Sequence, residues 1–252
     1  MSTSAAPSPD APTARAFAPN HRLTGYLVLS GVYLALILVG LPLATELLKP
    51  LLMPALALAF VPRRAPRLLI GALLASCVGD TALLFGGVWF LVGMGGFAAA
   101  HVCYITLFTR GGALRPLTRR ARLALGGYAV VWAALITLLW PDLPAGLRIP
   151  VACYSLLLAG TAATSLASGP PVGLPRKAVG GGLFLLSDSL IATGLAHWPQ
   201  LPAADFWIML TYLAGQYLLV TGAVGAWDQS ARSTTTGAWS EVPLPLRASR
   251  ST

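Results

Sequence analysis

Leu74-Ala75-Ser76-Cys77-Val78-Gly79-Asp80-Thr81-Ala82-Leu83-Leu84 is an apolar run with a carboxylate inside it. Its length and composition read as the middle of a membrane-spanning helix. An ionisable side chain near the bilayer centre costs about 2.5–3.5 kcal/mol on insertion scales, so such residues are rare and usually functional. The rest of the chain is expected to hold Asp80, and a second acid of the same kind at Asp188, around one polar pocket.

The whole chain supports a membrane setting. Its 252 residues are 56% hydrophobic and only 10% charged, with mean hydropathy +0.73, whereas soluble domains are about one quarter charged. An all-α polytopic bundle is the expected fold class. The formal charge of +9 raises nucleic acid as a partner, but 15 of the 17 cations are Arg, and nearly all sit between apolar runs. Positive-inside topology accounts for that placement, and no nucleic-acid partner is expected. Cys77, Cys103 and Cys153 are odd in number, each lies in an apolar run, and they form neither a disulfide framework nor a zinc spacing. No metal and no cofactor is expected.

Eight spans follow from the apolar runs, at Leu23–Val39, Leu43–Val61, Leu68–Phe85, Val88–Phe108, Leu123–Trp140, Ile149–Ala167, Ala178–His197 and Phe206–Ala226. Residues 1–22 and 228–252 are expected as disordered cytoplasmic tails flanking a membrane domain at 23–227. The arginines test the count. Arg22, Arg63, Arg64, Arg67, Arg110, Arg115, Arg119, Arg120, Arg122, Arg176, Lys177 and Arg232 all fall on one side of an eight-span chain with both termini cytoplasmic, leaving Arg148 in an outer loop. Six or seven spans scatter them. The similar segments Val78-Gly79-Asp80-Thr81 and Leu186-Ser187-Asp188-Ser189, four helices apart, hint at two parallel four-helix halves.

Depth can be counted from the cytoplasmic flanks at about 1.5 Å per residue. Asp80 lies 13 residues past Arg67 and Asp188 lies 11 past Lys177. Lys49 lies 14 before Arg63, His101 lies 9 before Arg110, and Gln216 lies 12 before Asp228. These five fall at depths of about 14–21 Å, in one slab of the core. His101 and Tyr104 share a helix face, as do Tyr212 and Gln216, and Ser76 and Asp80. Gly71, Ala75 and Gly79 make a small-residue ridge for close helix approach.

Plainer readings stay open beside these. Lys49 could pair with Glu46 or an aspartate, or snorkel outward; His101, Gln216 and the tyrosines could be interhelical glue. Two buried carboxylates can divide labour as acid and counter-ion, which suits hydrolysis through an oxocarbenium-like cation. Buried acids also serve proton-coupled transporters and permeases. The residues alone leave the two level.

The sequence resembles the YhhN family of membrane proteins, the family of the animal lysoplasmalogenases. The matching pieces are Leu48-Lys49-Pro50, Ser76-Cys77-Val78-Gly79-Asp80 and Phe97-Ala98-Ala99-Ala100-His101-Val102-Cys103-Tyr104, with Phe108 a turn later. Gly182-Leu183-Phe184-Leu185-Leu186-Ser187-Asp188-Ser189 and Tyr212-Leu213-Ala214-Gly215-Gln216-Tyr217 complete them, in order, across residues 41–224. The resemblance implies hydrolysis of the vinyl ether bond of lysoplasmalogens, with no cofactor. The substrate would be a single-chain lysophospholipid entering from the bilayer of a bacterial plasma membrane. On that reading Asp80 is the expected acid and Asp188 the cation stabiliser. Lys49 and His101 bind phosphate or tune the acids, and Tyr104, Ser187, Tyr212 and Gln216 orient water and substrate.

Overall fold

The structure is a computed structural model and describes residues 21–60, 65–113, 119–168 and 176–239. Eight helices run in chain order through these residues: α1 (His21–Val39), α2 (Pro42–Phe60), α3 (Arg67–Leu83), α4 (Trp89–Phe108), α5 (Arg119–Leu139), α6 (Ala145–Ala167), α7 (Arg176–Leu195) and α8 (Ala204–Trp239). The described residues form no strand. The all-α expectation therefore holds, and the apolar runs and the helices agree to within a turn at most ends.

Six helices are long and apolar enough to cross a membrane: α1, α2, α4, α6, α7 and α8. The other two, α3 and α5, begin and end close to the expected spans. Within the residues of α5 whose side chains are described, Leu125–Leu139 is a continuous apolar stretch. Helix α3 has 17 residues, or about 25 Å, against a hydrocarbon core of about 30 Å. Asp80 consequently stands three residues before the end of α3 rather than in its middle. The reason is the turn that follows, where Gly86 and Gly87 take φ of +61° and +54°. Two successive left-handed residues stop a helix and are cheap only for glycine. At the other extreme, α8 continues to Trp239, so residues 228–239, expected in a disordered tail, are helical. Extending a helix already nucleated costs little per residue. Residues 1–20 and 240–252, the rest of the expected tails, lie outside the described residues.

Neighbouring helices pack α1 on α2, α2 on α3, α3 on α4, α4 on α6, α6 on α7 and α7 on α8, and α1 closes back on α8. Helix α5 lies outside this ring, against α6. Two hairpins make the closest approaches. A Cβ on Gly96 of α4 would stand 2.7 Å from the backbone nitrogen of Gly79 and 3.0 Å from the carbonyl of Ala75 on α3. One on Gly180 of α7 would stand 2.6 Å from the nitrogen of Leu219 on α8. In lipid, where apolar burial gives no gain, such backbone-to-backbone packing supplies the attraction. Residues 75 and 79 of the small-residue ridge thus do what their spacing suggests. The two tight hairpins carry Asp80 and Asp188 on their first helices.

Helix α2 carries two internal prolines, Pro50 and Pro54. Pro54 has no N–H, so the carbonyl of Pro50 has no partner one turn on. Cys77 of α3 supplies one, donating its thiol at 3.2 Å. That contact seats Lys49, next to Pro50, beside α3.

Candidate active site

Asp80 and Tyr212 are joined across α3 and α8. Tyr212 donates its hydroxyl to Asp80 Oδ2 at 2.7 Å, and one turn along both helices Gln216 Nε2 donates to Ser76 Oγ at 3.0 Å. The residues pair 80 with 212 and 76 with 216, the register of two antiparallel helices each offering an i, i+4 face. Tyr104 of α4 then donates to Gln216 Oε1 at 2.6 Å. Lys49 Nζ stands 3.9 Å from Asp80 Oδ1. Asp80 is 2% exposed, while the Lys49 side chain keeps 17%. Lys49 therefore pairs with an aspartate, one of the plainer roles open to it, and still presents its ammonium to open space.

Asp188 has different company. Tyr154 of α6 donates its hydroxyl to Asp188 Oδ2. That hydroxyl has a single proton, so His101 Nε2, 3.2 Å away, must donate to the tyrosine oxygen. His101 Nδ1 is then left to accept from Thr161 Oγ1 at 3.0 Å. The tautomer is fixed by its neighbours, and the chain runs Thr161, His101, Tyr154, Asp188. Every member can reverse its proton together with the next, so the chain can also carry a proton away from the carboxyl.

The polar residues thus form two arms rather than one pocket. Between them lies an aromatic cluster in which Phe184 touches Tyr212 with ring centroids 5.4 Å apart and His101 at 4.7 Å, and Phe97 meets both Phe184 and Tyr212 edge-on. His101 and Tyr104 share a helix face by spacing, yet their polar atoms part, one to α6 and the other to α8. Ser187 is buried and donates to the carbonyl of Ile208 at 3.0 Å, so it joins α7 to α8 and does not reach either aspartate. Tyr154 and Thr161 are the residues that the depth count passed over. Neither carries a charge, but both lie in the apolar run of α6 and are i, i+7, on one face.

Three cavities with shared walls meet the arms. The first, about 720 Å³, is lined by Lys49, Glu46, Gln200 and Asp205. The second is a neck of about 50 Å³ that shares Leu83, Phe90, Ile191 and Leu195 with the first and reaches Tyr154 and Asp188. The third, about 370 Å³, runs between α5, α6 and α7 from Tyr154 and Asp188 along Trp132, Leu135 and Leu186. A polar chamber, a narrow neck holding a carboxylate and an apolar groove suit one long amphiphile.

The molecule is a multi-pass helical membrane protein with two interior acids, of which Asp188 lines the cavities and Asp80 lies behind Lys49. The family comparison refines this. The sequence model of the YhhN family matches residues 44–223, and the chain belongs to that family. It is 34% identical over 215 residues to a lysoplasmalogenase of Mycobacterium tuberculosis, covering 76% of this chain and 78% of that one. It is 35% identical over 158 residues to human lysoplasmalogenase TMEM86B, covering 63% and 64%, and 38% identical over 149 residues to the pig protein of that name, covering 59% and 60%. No solved structure matches the chain.

Proposed function

We propose that this protein is a lysoplasmalogenase, a hydrolase that cleaves the vinyl ether of a single-chain glycerophospholipid inside the membrane. The observation that carries the proposal is the position of Asp188. It stands at the neck where the chamber bearing Lys49 meets the apolar groove, and it is hydrogen-bonded to a tyrosine–histidine chain. The family membership and the relatives' names support the substrate class. The eight helices are read as eight spans of a bacterial plasma membrane with both termini cytoplasmic, which the arginine placement supports.

In this reading the phosphate lies in the chamber against Lys49, the vinyl ether in the neck and the chain in the groove. Protonated Asp188 gives its proton to the β-carbon of the vinyl ether, and the double bond's electrons form that C–H bond. The α-carbon and ether oxygen become an oxocarbenium ion. Water adds to the α-carbon and loses a proton to the Asp188 carboxylate, with Tyr154 and His101 redistributing charge along the chain. The hemiacetal collapses to a fatty aldehyde and a glycerophospho-alcohol, so one water is consumed in balance. Asp80 holds Lys49 in place and supplies negative charge toward the cation. The roles expected for the two aspartates are exchanged here, because Asp188 lines the path and Asp80 is covered by Tyr212 and Lys49.

The test is aldehyde release from a lysoplasmalogen by the purified protein, with Tyr154→Phe beside wild type. Wild type is expected to turn over. The Phe variant keeps the ring and loses only the hydroxyl, so its rate should fall about 10- to 100-fold, at the low end of general acid–base contributions. No aldehyde from wild type, together with proton-driven solute uptake in sealed vesicles, would establish the transporter reading instead.

A further inference from the structure

A second cavity, of about 670 Å³, lies where α3 and α7 begin and α4 ends, the end of the bundle away from the Lys49 chamber. Arg67, Arg110 and Lys177 line it, and among the described residues no carboxylate does. Positive-inside placement accounts for the two arginines, which are exposed. It places Lys177 at the same end but does not account for its burial, at 6% exposure in the cavity wall. Its ammonium has three protons to donate. Among the described residues it meets the carbonyl of Ser168 and, at 5.9 Å, the ring of Phe108. Neither is an anion. A buried cation is costly unless an opposite charge completes it, and the first turn of α7 adds the positive end of its helix dipole.

We propose that this cavity is a binding site for the phosphate group of an anionic membrane lipid, separate from the acids. Three cations converge on one space, and basic pockets between helices at this end of a bundle suit lipid phosphates. The remaining wall is apolar, with Leu68, Leu107 and Ala223, so the occupant is an amphiphile and not a free ion. The site is not where the reacting lipid places its phosphate. From Lys177 to Asp188 is 11 residues, or about 16 Å along α7. In a lysoplasmalogen, five bonds separate the ether oxygen from phosphorus, about 6 Å at full extension. With Lys177 turned to the carbonyl of Ser168 at that end of the bundle, a phosphate there does not bring its ether to Asp188. The site joins the ends of the helices that carry Asp80, His101, Asp188 and Gln216, and so its occupant braces the scaffold of the acids.

The experiment is native mass spectrometry of the full chain released from phosphatidylcholine nanodiscs doped with phosphatidylglycerol. Wild type should retain phosphatidylglycerol over phosphatidylcholine about tenfold or more, given roughly 1 kcal/mol per cation near a lipid surface. Lys177→Gln, and separately Arg67→Gln with Arg110→Gln, should each reduce that preference at least threefold, while Lys177→Arg keeps it. The surface arginine pair guards against misfolding of the Lys177 variant. Asp188→Asn should leave the preference intact. Equal retention of the two lipids by wild type, or a preference that survives both sets of variants, would sink the proposal. Loss in Asp188→Asn would place the lipid at the acids, and displacement by millimolar inorganic phosphate would make the ligand the bare anion; both overturn it.

Discussion

Asp188→Asn should lower aldehyde release by about 10²- to 10⁴-fold, the range for loss of a positioned general acid. The amide has nearly the shape of the carboxyl, and its oxygen can still accept the Tyr154 hydroxyl that Asp188 accepts now. It cannot deliver a proton to carbon. The hairpin around it is packed by backbone contacts at Gly180, which the substitution does not touch, so the unfolding midpoint should move by no more than a few degrees. A rate retained to within tenfold of wild type would remove Asp188 from the reaction. A collapsed midpoint would make it a structural residue.

The second large effect belongs to Asp80→Asn. It leaves the Lys49 ammonium facing a neutral amide, and breaking one member of a buried pair costs about 3–5 kcal/mol. Lys49 retains 17% exposure at the edge of a wide chamber, so solvent screening should bring the cost below that range. Activity should fall by about 10²-fold or more, since the field toward the oxocarbenium ion and the seat of the phosphate-binding cation are lost together. Adding Lys49→Met separates the effects. The double variant should regain most of the thermal stability and none of the turnover. If Asp80→Asn unfolds at a lower temperature but turns over normally, Asp80 only anchors Lys49.

The sequence made one half of the site legible because charge in an apolar run is conspicuous. Counting residues from the charged flanks brought Lys49, Asp80 and Gln216 to one depth, and the structure joins them through Tyr212, Tyr104 and Ser76. Tyr154 stayed hidden because a tyrosine in an apolar helix carries no formal charge and buries an apolar ring. Ser187 stands beside Asp188 in the segment that resembles the family, but successive residues on a helix point about 100° apart, and it faces α8. Depth gives height in the bundle and says nothing of azimuth, so the separation of His101 from Tyr104 could not be read either. The end of α3 differs for another reason. The apolar run passes through Leu84-Phe85 to the break at Gly86-Gly87, and the left-handed turn there takes those two residues out of the helix.

The groove between α5, α6 and α7 has walls that include Val131 and Leu186, half of whose surface is uncovered. Such a channel is open along its flank and has no floor. A tunnel with a closed end counts carbon atoms, since a chain that is too long cannot seat its reacting bond. Here surplus methylenes would pass out among the surrounding acyl chains, where they lie already in a solvent of their own kind. On the proposed function, a groove open along its flank sets no limit on chain length. Turnover of lysoplasmalogens should change little with chain length once the groove is filled, and discrimination should fall on the head group instead.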